Sequence, residues 1–261
     1  MASLGRALWP RSVRSAARQA RLFSTARFRS PETYRLYLVT DDPYLDDQFY
    51  GKVEASIRGG VTCVQLRLKD VSSAVYVEWG LKIRELTRRY NVPMIVDDRL
   101  DVALAVEADG LHVGGDDLPW AMARHLLGPE RILGCSTYGR PDLVERALAP
   151  EVRADYLGSG AIFATPTKRS SSAKGLGHLP ELRKHVDAQV AGRYVPIVAI
   201  GGVDASSAAD CVRQGVDGVA VVRGLLQTAS PAQSEGAAKA IAAEVQGALQ
   251  EAGRLSEDGA K

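Results

Sequence analysis

The chain has 261 residues, a formal net charge of +2, 46% hydrophobic residues and 25% charged residues. That is enough apolar material for one large domain with a real core, and the near-neutral balance gives no sign of bulk nucleic-acid binding. No apolar run approaches the length of a membrane span. Three widely separated cysteines, Cys63, Cys135 and Cys211, with no CxxC spacing, argue against a disulfide framework or a zinc site; they read as buried free thiols.

The net charge hides an asymmetry. Residues 1–31 carry Arg6, Arg11, Arg14, Arg18, Arg21, Arg27 and Arg29 and no acid, with serines and small apolar residues between them. This is the composition of an organellar transit peptide, mitochondrial in the first instance and plastid as the alternative. The run Arg21–Thr25 resembles a mitochondrial processing site. The competing reading is a disordered basic tail or a nucleic-acid arm. The fold is therefore expected over 32–230, with 231–261 supplying a closing helix to about Gly247 and a frayed tail.

From Tyr34 onward, short apolar runs alternate with helix-length segments. The predicted strands are Leu36–Thr40, Val61–Arg67, Pro93–Asp97, Gly110–Val113, Arg131–Ser136, Asp155–Gly158, Val195–Ile200 and Gly218–Val222. Each is bounded by Gly, Pro or Asp, as expected of buried parallel strands. Helical spacing is clear in Tyr76–Tyr90, Leu100–Glu107, Trp120–Leu127, Pro141–Leu148 and Ser206–Gln214. Eight βα units in about 220 residues predict an α/β fold, a single (β/α)8 TIM barrel. The alternative is a doubly wound open sheet, but no GxGxxG follows the first strand. Polar residues collect at the C-terminal ends of the strands, where such barrels place their active sites.

Those ends carry the candidate chemistry. In Gln65-Leu66-Arg67-Leu68-Lys69 the odd positions share one face of a strand, so an amide, a guanidinium and an ammonium converge as an anion cradle. Asp97-Asp98 ends the third strand and Asp116-Asp117 follows the fourth. Facing a cationic cradle, these carboxylates suggest a Mg2+ clamp; general acid–base work is a competing role, and Asp98 or Asp116 could instead cap the following helix. His112, alone on an apolar strand, reads as a hydrogen-bonded core residue. After the sixth strand, the glycines Gly158 and Gly160 precede Thr165, Thr167 and Lys168, all able to bond phosphate oxygens. Gly201-Gly202 and Val222-Arg223-Gly224, after strands seven and eight, match the recurrent phosphate site of these barrels. No Ser-His-Asp set or Cys-His pair stands out. The residues read as an enzyme acting on two phosphorylated small molecules with Mg2+. No nucleic-acid or membrane partner is expected, and a homo-oligomer stays open.

The ordered segments Tyr37–Asp41, Val64–Lys69, Asp97–Ala103, Gly110–Gly114, Asp116–Pro119, Thr165–Lys168 and Ile197–Gly202 resemble the signature of thiamine-phosphate synthases, over about residues 34–227. The resemblance implies a transferase. A pyrimidine diphosphate ionises at its methylene carbon, releasing pyrophosphate, and a thiazole phosphate captures the cation through its ring nitrogen to give thiamine phosphate. By position it assigns Gln65, Arg67, Lys69, Ser136 and Lys168 to the diphosphate, with Arg67, Lys69, Ser136 and Lys168 as the catalytic set. Asp98 and Asp117 would bind Mg2+, Asp97 would lie beside the diphosphate, and Thr165, Thr167, Gly202, Val222 and Arg223 would hold the thiazole phosphate. The chain departs from the family at Asp97, where Asn is usual, at Gly115, where Gln is usual, and at Arg223, commonly a small residue. Two alternatives remain: a thiazole tautomerase-like isomerase, which would turn over one thiazole phosphate without Mg2+, and an inactive phosphate-binding barrel, which would bind without turnover.

Overall fold

The computed structural model describes residues 28–166, 173–190 and 192–255. Residues 1–27, which hold most of the predicted transit peptide, lie outside this range, as do Thr167, Lys168 and the last six residues of the chain.

Eight short strands close on themselves: β1 (Leu36–Val39), β2 (Cys63–Leu66), β3 (Met94–Asp97), β4 (Gly110–Val113), β5 (Ile132–Ser136), β6 (Tyr156–Gly160), β7 (Ile197–Ile200) and β8 (Gly218–Val221). All pair in parallel in chain order, and β8 returns to β1 with Leu36 opposite Val219. The fold is the predicted (β/α)8 barrel. Around it run α1 (Phe49–Arg58), α2 (Ser73–Arg89), α3 (Leu100–Ala105), α4 (Trp120–Leu127), α5 (Pro141–Leu148), α6 (Leu179–Gln189), α7 (Ala208–Arg213), the one-turn α8 (Arg223–Leu226) and the long α9 (Pro231–Glu251). The sequence pattern names no helix at α1 or α6. Neither has a side-chain N-cap, a feature shared with α3, α4, α5 and α7. By contrast, α2 and α9 open on Ser72 and Ser230, whose hydroxyls accept from Val75 N–H and Gln233 N–H. The closing helix runs past Gly247 to Glu251.

Strand alternation divides the core in two. Outward residues such as Leu38, Leu66, Val96, Leu111 and Ile197 join the helices in one cluster, with Trp120 fully buried. Inward residues form a second cluster that includes Tyr34, Tyr37, Cys63, Ile95, Ile132, Tyr156 and Val198. The three cysteines are free and buried, as expected. Tyr34 stacks on Tyr156 with ring centroids 4.5 Å apart. Its hydroxyl donates to the Phe28 carbonyl at 3.2 Å. Residues 28–31, which composition groups with the transit peptide, therefore belong to the barrel and close its N-terminal end. Gly218 makes this plug possible, since a Cβ there would lie 1.9 Å from the Tyr34 carbonyl oxygen.

One arrangement recurs at that end. Asp109, just before β4, accepts from Met94 N–H at the start of β3 (2.8 Å) and takes a bidentate pair from Arg84 on α2. Asp155, just before β6, accepts from Leu133 N–H on β5 (2.8 Å) and from Arg124 on α4 (2.7 Å). Asp217, just before β8, accepts from Ile197 N–H on β7 (2.8 Å) and faces Arg183 on α6 at 3.6 Å. Arg254, beyond α9, also reaches Asp217 and donates to the Val216 carbonyl at 2.7 Å, so the chain is anchored where fraying is predicted. In the remaining quarter Thr62, before β2, accepts from Leu36 N–H at 3.1 Å. Each stitch joins two strands, and the three aspartates add an even-numbered helix.

Desolvation offsets most of the Coulomb gain of a buried pair, yet removing one partner strands the other. Asp109→Ala should therefore cost about 3–5 kcal/mol of stability, read as a lower urea midpoint at unchanged slope. A loss below about 1 kcal/mol, the scale of an exposed pair, would show that the stitch is dispensable.

Candidate active site

At the opposite end the inward residues become small or polar, and the barrel opens into a cavity of about 640 Å3. Of the residues singled out in the sequence, Gln65, Arg67, Lys69, Asp97, Asp98, Asp117 and Ser136 line it. So do Thr165, Gly202, Val222 and Arg223 on the far side. Thr167 and Lys168 lie outside the described residues.

The cationic cradle is built by the backbone. Strand β2 ends at Leu66 rather than Arg67 because the Arg67 N–H goes to the Thr40 hydroxyl at 2.8 Å. That hydroxyl in turn donates to the Arg67 carbonyl at 3.1 Å. Lys69 N–H is held by the Asp42 carboxylate at 2.8 Å. Gln65, Arg67 and Lys69 face the cavity while Leu66 and Leu68 are buried on the other side, as the alternation requires.

The cradle is already charge-compensated. Arg67 pairs with Asp41 and lies 3.6 Å from Asp97. Lys69 lies 3.2 Å from Asp97 and pairs with Asp98. Two cations thus meet three carboxylates. Burial holds the Asp41 carboxyl above its ordinary range, and the neighbouring Arg67 only partly opposes this. Asp41 is a partner the sequence reading missed.

The two acidic loops are shaped for side-chain delivery, not for capping. Asp98 sits at φ 57°, a left-handed conformation that Asp tolerates, with its N–H bonded to the His112 carbonyl at 2.8 Å. Neither α3 nor α4 has a side-chain cap, so the capping reading of Asp98 and Asp116 is set aside. Asp117 instead accepts from Gly114 N–H at 2.7 Å, and Trp120 Nε1 donates to the Gly114 carbonyl at 2.7 Å, tying this loop to the buried tryptophan. Among the described residues no three His, Cys, Asp or Glu side chains converge as a metal cage. Mg2+ needs only one or two carboxylates when phosphate oxygens and water complete its shell. Asp98 and Asp117, both hard oxygen donors on the cavity wall, fit that description.

The glycine turn on the far side is made of close backbones. Gly201 and Gly202 have φ of 101° and 69°, and a Cβ on Gly202 would lie 2.7 Å from Phe163 Cβ. The loop after β6 runs along this turn, with Phe163 N–H bonded to the Gly201 carbonyl at 2.8 Å. Arg223 is exposed at the cavity edge, its Nε donating to Gln227 Oε1 at 2.8 Å. A Cβ on Gly115 would meet nothing within 4 Å, so a longer side chain fits there.

The cavity floor holds what sequence reasoning missed. His112 is buried and hydrogen-bonded, as read, but it also lines the cavity, as do Tyr37 and Tyr156. The tyrosines sit in unremarkable apolar strands; their one signal is shared inward parity with Gln65 and Ser136, visible only once the barrel is closed. Gly134 leaves room for the Tyr156 ring, which a Cβ would approach at 2.2 Å.

The sequence matches the family described as Thiamine monophosphate synthase over residues 36–225. It is 42% identical over 195 residues to the thiamine-phosphate synthase of Caldanaerobacter subterraneus, covering 74% of this chain and 86% of that protein. It is 49% identical over 191 residues to the thiamine-phosphate synthase of Chloroflexus aurantiacus, covering 72% and 83%. The thiamine phosphate pyrophosphorylase structure from Pyrococcus furiosus superposes with a TM-score of 0.71 at 31% identity, over 84% of this chain and 98% of that one. With the barrel, the ordered motifs and these relatives in agreement, the chain belongs to the thiamine monophosphate synthase family.

Proposed function

We propose that the chain is a thiamine-phosphate synthase. It joins 4-amino-2-methyl-5-(diphosphooxymethyl)pyrimidine to a thiazole phosphate and releases pyrophosphate. The observation that carries the reading is the pairing of two unlike anion sites in one cavity. The β2 side offers Arg67 and Lys69 with carboxylates around them; the β7–β8 side offers a glycine turn with Thr165 and Arg223 beside it. A transferase with one diphosphate and one monophosphate substrate needs both.

Ionisation of the pyrimidine diphosphate places growing charge on the leaving oxygens, so its catalysis is positioning and electrostatic stabilisation. Arg67 supplies a fork for phosphate oxygens and Lys69 a point charge. Gln65 and Ser136 complete the diphosphate side, to which the family pattern adds Lys168. Gly202, Val222, Thr165 and Arg223 hold the thiazole phosphate so that its ring nitrogen faces the cation, and the family pattern adds Thr167. The excess of carboxylates over cations in the cradle supports a requirement for Mg2+, because a diphosphate entering this site alone would meet net negative charge. Held by Asp98 and Asp117, Mg2+ would neutralise the departing diphosphate. The Arg-rich, acid-free segment 1–31 supports import into an organelle, the mitochondrion first.

The full chain, given both substrates and Mg2+, should form thiamine phosphate and pyrophosphate in equal amounts. Tight binding of either substrate with no product would favour the inactive binding barrel. Conversion of a thiazole phosphate alone would favour the isomerase.

Arg67→Ala should stay folded, with some loss of melting temperature because Asp41 and Asp97 lose their guanidinium, while diphosphate affinity and turnover fall by about 100-fold, the scale of a lost charge-assisted contact; undiminished activity would remove the cradle assignment.

Asp97→Asn takes away one of the three carboxylates. Calorimetry should show tighter pyrophosphate binding in the presence of Mg2+, whereas weaker binding would make Asp97 a metal ligand.

A further inference from the structure

Beneath the cavity, five side chains from five strands form an unbroken hydrogen-bonded line. Gln65 Nε2 donates to the Tyr37 hydroxyl at 3.1 Å. The Tyr37 and Tyr156 hydroxyls are 2.9 Å apart. Tyr156 meets His112 Nδ1 at 2.8 Å, and His112 Nε2 meets Ser136 Oγ at 2.9 Å. Ser136, on the cavity wall, is the one member not buried.

The direction of this line follows from the Gln65 amide, whose Nε2 is the atom turned toward Tyr37. An amide N–H can only donate, so the Tyr37 oxygen accepts from Gln65 and has its own proton to pass on. Tyr156 accepts that proton's hydrogen bond and passes its own to His112 Nδ1. A neutral imidazole that accepts at Nδ1 carries its proton at Nε2. That proton points at Ser136 Oγ, and the serine proton is left to face the cavity. Reversing any one link would put two donors or two acceptors face to face in a buried site, a loss comparable to an unmade hydrogen bond. Burial pushes the pKa values of both tyrosines well above the ordinary phenol value, so both keep the protons the line requires.

We propose that Tyr37, Tyr156 and His112 are positioning residues forming a one-way hydrogen-bond relay. The relay holds His112 as the Nε2–H tautomer and presents Ser136 as a donor to the substrate. It rests on the functional reading above, in which Ser136 faces the diphosphate. A phosphate oxygen can only accept, so a serine that spent its proton on His112 would turn a lone pair toward the anion. The donor gains most as charge builds on the leaving oxygen, so the relay acts on turnover more than on binding. Tyr156 is the critical link because its hydroxyl meets Nδ1 directly; Tyr37 is one link further back.

The test is 15N NMR of His112 in the full chain, with steady-state kinetics of Tyr156→Phe and Tyr37→Phe. The parent protein should show a neutral imidazole protonated at Nε2. Tyr156→Phe keeps the ring that stacks on Tyr34, and it should lose the fixed tautomer. Its kcat should drop about tenfold or more, while KM for the thiazole phosphate stays unchanged. Tyr37→Phe should keep the tautomer and lose less. A proton on Nδ1 in the parent would overturn the relay even if Tyr156→Phe fails to fold, as would a Tyr156→Phe protein with tautomer and kcat both intact. The two readings separate cleanly: an Nε2–H imidazole in a protein that makes no thiamine phosphate leaves the relay standing and removes the function, and an Nδ1–H imidazole in an active enzyme does the reverse.

Discussion

The structure depends on the buried carboxylates that stitch the N-terminal end of the barrel. Asp109, Asp155 and Asp217 each satisfy an N–H at the start of an odd-numbered strand (the first residue of β3 and β7, the second of β5) while facing an arginine from the helix before that strand. A parallel barrel has no hairpins to set its register, so something at the strand starts must do so. A carboxylate does this well because it can accept from a backbone N–H and a guanidinium together. The electrostatic gain is modest. Burial raises the pKa of Asp217 in spite of two nearby arginines, so desolvation outweighs attraction there. The consequence is geometric: strand ends at one face are held, and chain connections at the other are left to carry function.

With the register set, strand parity decides the interior. In the lower layer Tyr34, Tyr37 and Tyr156 fill the barrel with aromatic bulk. In the upper layer Gly158, Gly160 and Ala220 fill little, and the cavity is the space they leave. Polar groups on this boundary have no solvent to turn to, so they satisfy one another. The Gln65–Ser136 line is the result. A packed floor and an oriented donor are thus two outcomes of one layer of side chains.

Charge sets the terms on which the upper layer works. Arg67 and Lys69 do not wait unpaired; three carboxylates hold them in place. Pairing keeps two long side chains ordered before substrate arrives, which lowers the entropy lost on binding. It also means that an anion must compete with Asp41, Asp97 and Asp98 for the same cations. The far side is built differently, around a turn with two glycines at positive φ, and Asp204 beyond it also lines the cavity.

Much of this could be read along the chain. The eight βα units, the inward parity of Gln65, Arg67 and Lys69, and the glycine turn after β7 are all local patterns, because alternation and left-handed turns are properties of a few consecutive residues. Helices α1 and α6 were not singled out, and the absence of a capping side chain does not account for it, since α3, α4, α5 and α7 are uncapped too and were legible from their apolar spacing. Asp98 and Asp116 looked like caps because the local rule favours them; the fold instead holds Asp98 against Lys69 and leaves both helices uncapped. Residues 28–31 carry the composition of the segment before them, and only packing against Tyr34 and Asp155 assigns them to the barrel. The stitches, the carboxylate excess around Arg67, and the contact of Tyr37 with Tyr156 across 119 residues were decided by tertiary structure alone. Local sequence determines which face of its strand a side chain occupies. Which faces meet depends on how eight strands close, and that information lies in no single stretch of the chain.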